Sequence, residues 1–177
     1  MQLVWAEFVV KSYQEIRNQN LIRQNYEQSC GAAALASVIN LLDNAKLKEI
    51  DVLNKFETNS TNMVSFYDLK NASNNLNYEA KAYQISRDLL EKIQIPIIVK
   101  IEDDPRFPHF VVVINQVGNF IAILDPSFGE YISSKEQFYR LWDKSNLGGY
   151  ALIIAPKSQI SDKFKLNLPN KILFEIK

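Results

Sequence analysis

Two apolar runs on either side of a glycine turn constrain this chain more than any other feature. Residues 109–115, His-Phe-Val-Val-Val-Ile-Asn, and residues 119–125, Asn-Phe-Ile-Ala-Ile-Leu-Asp, are rich in β-branched and aromatic side chains and flank Gln116-Val117-Gly118. Runs of this kind joined by so short a break read as a β-hairpin. With Gly118 in the left-handed position of a three-residue loop, Asn115 falls opposite Asn119. Counting outward sets Val113 against Ile121, Val111 against Ile123 and His109 against Asp125, all on one face because side chains alternate. The only histidine of the chain then meets a carboxylate. The plainer alternative is that His109 ends a strand and Asp125 opens an Asp-Pro turn.

The elements around the hairpin set the fold class. Residues 12–17 suggest a helical turn after an extended 8–10, and residues 30–42 a helix with Leu35, Val38, Ile39 and Leu42 on one face. A second amphipathic helix places Leu47, Ile50, Leu53 and Phe56 together, residues 57–62 form a loop, and a third helix over 65–76 uses Phe66, Leu69, Ala72 and Leu76. A short strand over 78–82 and a helix over 87–93 capped by Ser86 follow. Strands then occupy 97–101, 109–115, 120–124 and 150–155, with a helix bearing Phe138 and Trp142 that Ser133 and Glu136 introduce at capping-box spacing. Helices first and an antiparallel sheet after predict an α+β fold. At 177 residues it reads as one domain over 21–156, with a lead-in over 1–20 and a tail over 157–177 whose Ile172, Leu173 and Phe174 suit an edge strand.

Cys30, the only cysteine, stands at the doorway of the 30–42 helix. A thiol in a first turn faces unsatisfied backbone N–H groups and the positive end of the helix dipole, which favours thiolate. Taken alone it has a second reading, a small buried hydrophobe. A nucleophilic thiol needs an imidazole to take its proton and a carboxylate to orient the ring, which the hairpin supplies in His109 and Asp125. Gln24, six residues before the thiol, is a candidate donor to the oxyanion beside the Cys30 N–H, or else an ordinary loop amide.

Composition removes other classes. Twenty Lys and Arg balance twenty Asp and Glu, so no net field points to nucleic acid. One Cys and one His predict neither a disulfide framework nor a metal or cofactor site. No apolar run reaches the ~18 residues of a membrane span. Val4 and Ala6 ahead of Glu7 match the small residues before a signal-peptide cut, which suggests a trimmed or misread start of an exported protein. Gly148-Gly149 precedes an apolar strand and reads as a turn or close backbone approach, not a self-cleavage site.

Taken together, Gln24 to Cys30-Gly31 with its Ala-rich helix, Pro96 before a strand, His109-Phe110-Val111-Val112, Asp125-Pro126 with Gly129, and Phe138 with Trp142 resemble the C39 peptidases. These are papain-like cysteine proteases that remove double-glycine leaders from exported peptides, and residues 21–31 resemble the stand-alone type of functional-amyloid export systems. The resemblance implies Cys30 as nucleophile, His109 as general base and then acid, Asp125 as orienting carboxylate and Gln24 as oxyanion donor. It implies a substrate with a Gly-Gly or Gly-Ala pair, apolar leader residues laid in a groove, an export apparatus as partner, and a periplasmic location with a cytoplasmic one as the alternative; the aromatic residues over 63–67 are walls of that groove or else core. The alternatives are a C39-like module that docks cargo without cutting it and a papain-like acyl transferase.

Overall fold

The computed structural model describes residues 10–43, 45–56, 64–104 and 106–157. The fold is built around α2, Cys30–Asp43, of whose fourteen residues twelve are buried. The small residues Gly31 to Ala34 and Ala36 bury the flank that a one-faced helix would turn to solvent, so α2 is a central helix and not the amphipathic one its spacing predicts. Before it, α1, Tyr13–Asn18, starts on a capping box in which Ser12 and Glu15 satisfy each other's backbone N–H. After it, α3, Glu49–Leu53, and α4, Phe66–Asn75, pack beside it.

The expected second helix is shortened and turned. α3 buries Glu49 and Val52, while Ile50, expected on the core face, is 47% exposed. Leu47, Leu53 and Phe56 are partly buried against the core. The third helix follows its pattern: Ser65 caps it and Leu69 and Ala72 are fully buried. The loop over 57–62 and the tail strand expected near 172–174 lie outside the described residues.

The second half is one antiparallel sheet in the order β1-β6-β2-β3-β4-β5. Its strands are β1, Tyr78–Ile85; β2, Ile97–Ile101; β3, His109–Val117; β4, Phe120–Asp125; β5, Gly129–Ser134; and β6, Gly149–Pro156. Strand β5 has no counterpart among the expected strands, because its Gly-Glu-Tyr-Ile-Ser-Ser run is too polar to announce itself. It forms the edge beside β4, with its outer residues half-buried. Two helices complete the fold: α5, Arg87–Leu90, shorter than expected although Ser86 does cap it, and α6, Lys135–Trp142. The cap of α6 is Ser134, whose hydroxyl accepts from the Gln137 N–H, one residue after the Ser133 that the sequence suggested.

Alternation divides the core into two layers. Ile98, Phe110, Val112, Ile114, Leu124, Leu152 and Ile154 pack with α2, α3 and α4. Ile97, Val99, Ile101, Val111, Val113, Ile121 and Ile123 meet Leu90, Phe138 and Trp142 of α5 and α6 on the other side. Gly148 and Gly149 serve close packing: a Cβ on the first would strike the Ile85 carbonyl, and one on the second the Trp142 ring.

Candidate active site

The hairpin does not have the expected register. The loop is two residues, with Gly118 at φ +55° in its first position and Val117 paired to Phe120. From that turn alone the pairing numbers sum to an odd value, which sends residues 109 and 125 to opposite faces. A bulge between Val113 and Asn115 inserts one residue and restores the phase, so that Val113 pairs with Ile123 and Val112 with Leu124. His109 and Asp125 return to one face, shifted by two residues from direct opposition, and the imidazole crosses that offset. His109 Nε2 lies 2.8 Å from Asp125 Oδ1.

Three donors converge on that oxygen. Besides the imidazole, the backbone N–H groups of Ser127 and Phe128 donate to Asp125 Oδ1 at 2.7 and 3.2 Å, the turn chemistry of an Asp before Pro126. Burial works against ionisation of Asp125, yet the His109 hydrogen bond and charge and the two amides outweigh it and hold its pKa below the usual value. Burial also opposes the charged imidazole. Hydrogen bonds to Asp125 and Cys30, with the negative charge of both, overcome it and lift the His109 pKa to about 9. With Nε2 committed to Asp125, Nδ1 is the nitrogen left for the thiol.

Cys30 is 7% exposed, is a free thiol, and is the first residue of α2. Gly31 explains how its turn fits: a Cβ there would collide with Val64 and press on Leu69 and Phe110. Val64 and Phe66, in the stretch expected to wall a groove or join the core, are half-buried against the core; Phe66 packs edge-on to Phe110 at 5.1 Å, whereas Tyr67 is 68% exposed.

Gln24 is tied to the same turn as Asp125. Its N–H donates to the Pro126 carbonyl at 3.1 Å, and its Oε1 accepts from the Ser127 hydroxyl at 2.9 Å. Nε2 then points into the loop before Cys30, donating to the carbonyls of Tyr26 and Glu27 at 3.1 and 3.3 Å. Both amide hydrogens are engaged, so donation to an oxyanion requires one of these bonds to be exchanged.

Two contributors escaped the sequence reading. Glu49 is 2% exposed, and its carboxylate accepts from the Asn25 N–H, from Asn25 Nδ2 at 2.7 Å and from the Ser29 hydroxyl. It clamps both ends of the loop that leads into Cys30. A Glu in a run with Leu47 and Ile50 reads as the polar face, and nothing in the spacing signals otherwise. Ser127, which joins Gln24 to the Asp125 turn and lies 3.5 Å from His109 Nε2, follows from the turn signal Asp125-Pro126 once that turn is taken as part of the site.

This arrangement can generate a sulfur nucleophile, hold the proton that a leaving amine needs, and stabilise the charged ring between. Comparison with known proteins agrees with that chemistry. The profile of the Peptidase C39 family matches residues 18–159. The probable functional amyloid protease FapD of Pseudomonas aeruginosa is 31% identical over 76% of this chain; the chain spans 62% of its length. The peptidase domain of Streptococcus ComA, a bi-functional ABC transporter involved in a quorum-sensing pathway, superposes with a TM-score of 0.67 at 25% identity, over 77% of this chain and 98% of that domain. A double glycine motif protease from an AMS/PCAT transporter, solved in complex with its leader peptide, gives 0.65 at 27% identity over 77% and 90%. These neighbours share the papain-like arrangement of helices against a curled antiparallel sheet.

Proposed function

The chain belongs to the Peptidase C39 family of cysteine peptidases, and from that footing we propose an endopeptidase that cuts after a Gly-Gly or Gly-Ala pair in the leader of an exported bacterial peptide or amyloid-system protein. The observation that carries this reading is the His109 ring held between the Asp125 carboxylate and the Cys30 thiol.

In the proposed reaction Cys30 Sγ attacks the carbonyl carbon of the second residue of the pair. The oxyanion is met by the Cys30 N–H, which as the first helical residue has no partner within α2, and by Gln24 Nε2 once it leaves a loop carbonyl. His109 gives its proton to the departing amine, the acyl group stays on sulfur as a thioester, and a water deprotonated by His109 releases it. In this reading the glycines enter a narrow slot that excludes side chains. Affinity then has to come from upstream leader residues, and the transporter whose domain resembles this one supports an export apparatus as partner.

The test is intact-mass analysis of exported peptides containing Gly-Gly or Gly-Ala after incubation with the purified protein. Cuts directly after the pair are expected, and none with Cys30→Ala. Binding without cutting by the unaltered protein would replace the peptidase with the docking module, and cutting by Cys30→Ala would remove Cys30 as nucleophile.

A further inference from the structure

Helix α1 lies almost wholly before the residues that match the family, which begin at 18. It is nonetheless built into the site. Gly129, at φ +109°, is the seat: a Cβ there would press on Asn18 Oδ1 at 3.1 Å, Arg17 Nε at 3.2 Å and the Arg17 carbonyl at 3.3 Å. The Arg17 guanidinium stacks 3.9 Å over the Phe128 ring and donates to the Phe128 carbonyl. Arg23 donates to the Ser127 carbonyl and to Asn18 Oδ1.

Between them opens a cleft of about 440 Å³, lined by Gln14, Arg17, Asn18, Arg23, Ser127 and Phe128. Two guanidinium groups face it, and among the described residues neither has a carboxylate within ion-pair distance. Arg17 Nε is buried with no acceptor there. Neutral partners alone meet these cations, two peptide carbonyls, the Asn18 amide oxygen and the Phe128 ring, so the cleft has a surplus of positive charge and fork-shaped donors, the geometry that carboxylates fit.

Its position selects the ligand. Ser127 is shared with the site, bonded to Gln24 and lying 3.5 Å from His109 Nε2. The leaving amine must take its proton from His109 Nδ1, the nitrogen that faces the thiol, so the half of the substrate that follows the cut departs past the imidazole, whose other nitrogen borders Ser127. An extended chain advances ~3.3 Å per residue, so a cleft just beyond the ring meets the second or third residue after the cut. We propose that this cleft is a subsite for an acidic side chain two or three positions C-terminal to the scissile bond, supplied jointly by α1 and the turn between β4 and β5. The proposal rests on the peptidase reading above for its placement along the substrate.

The test uses two labelled peptides with the same apolar leader and Gly-Gly, one continuing Ala-Glu-Glu and the other Ala-Gln-Gln, titrated by anisotropy into the Cys30→Ala protein. The acidic peptide should bind about 3- to 10-fold tighter at low salt, a preference that fades toward ~1 M salt. Arg23→Gln should remove much of the preference and Arg23→Lys retain most of it, with thermal melts confirming that both fold. Equal affinities for the two peptides overturn the subsite, whatever the Arg23 variants do. Turnover of both peptides by the unaltered protein separates the two claims. Cleavage at equal kcat/KM with equal affinity overturns the subsite and leaves the peptidase; an acidic preference in binding with no cleavage keeps the cleft as an acid-binding site and overturns the peptidase.

Discussion

Two carboxylates govern the chemistry of single residues here. Against the opposing effect of burial, Asp125 together with Cys30 lifts the His109 pKa to about 9. The protonated ring is the form that Asp125 and Cys30 stabilise, so this contribution to folding is full below the ordinary histidine value and is lost as pH rises through about 9. Asp125, whose pKa is depressed, contributes above its ordinary value and loses the contribution as pH falls through the lowered one. Activity should therefore fall on the alkaline side near pH 9 as the leaving amine loses its acid. In Asp125→Asn that limb should move to lower pH and kcat/KM fall by up to about 10⁴-fold, read from pH–rate profiles of both proteins. An unmoved limb would show that Asp125 does not set the ring. Glu49 acts at one remove, through the Asn25 to Ser29 loop. Glu49→Ala should cost about 2–4 kcal/mol in urea unfolding, since it removes a buried acceptor and leaves the Asn25 and Ser29 donors without it, and should lower kcat more than it raises KM. Loss of stability with intact kcat would make it structural only.

Among the elements, α2 carries the tightest constraint. Gly31→Ala drives a methyl into Val64, Leu69 and Phe110, and should destabilise by about 1–3 kcal/mol while displacing the first turn, so that thiol alkylation and turnover slow together. Unchanged alkylation in a folded variant would remove Gly31 as a determinant of thiol position. The same element shows what was legible in the sequence. Its existence, start and one buried face could be read, because Leu35, Val38 and Ile39 recur at helical spacing; its full burial could not, because alanines face core and solvent alike. In the hairpin the strands were legible and the meeting of His109 with Asp125 was expected, but by a wrong register. A three-residue loop and the actual turn plus bulge keep the same face, and residue spacing cannot separate them. Strand β5 and the buried Glu49 were illegible, since half-buried edges and tertiary carboxylate clamps leave no period.

At the scale of the whole molecule, the sheet divides two cores, and their junctions depend on few polar ties. Asp143, 3% exposed, accepts from Arg87 Nε at 2.8 Å and from the Gly148 N–H at 2.9 Å, joining α5, the end of α6 and the entry to β6. Arg87→Met leaves that carboxylate half-paired and should cost about 2–3 kcal/mol by urea unfolding, less than a fully buried break because the guanidinium is partly solvated. A cost near zero would mean that the Gly148 amide suffices. The bulge in β3 reaches further than its one extra residue suggests. It works as a parity bit in the hairpin: turn length and bulge together must total the right phase, or His109 and Asp125 part company. Insertions or deletions of a single residue anywhere between His109 and Asp125 are thus inherited only in compensating pairs, so relatives with hairpins of different length are expected to have changed the turn and the strand together.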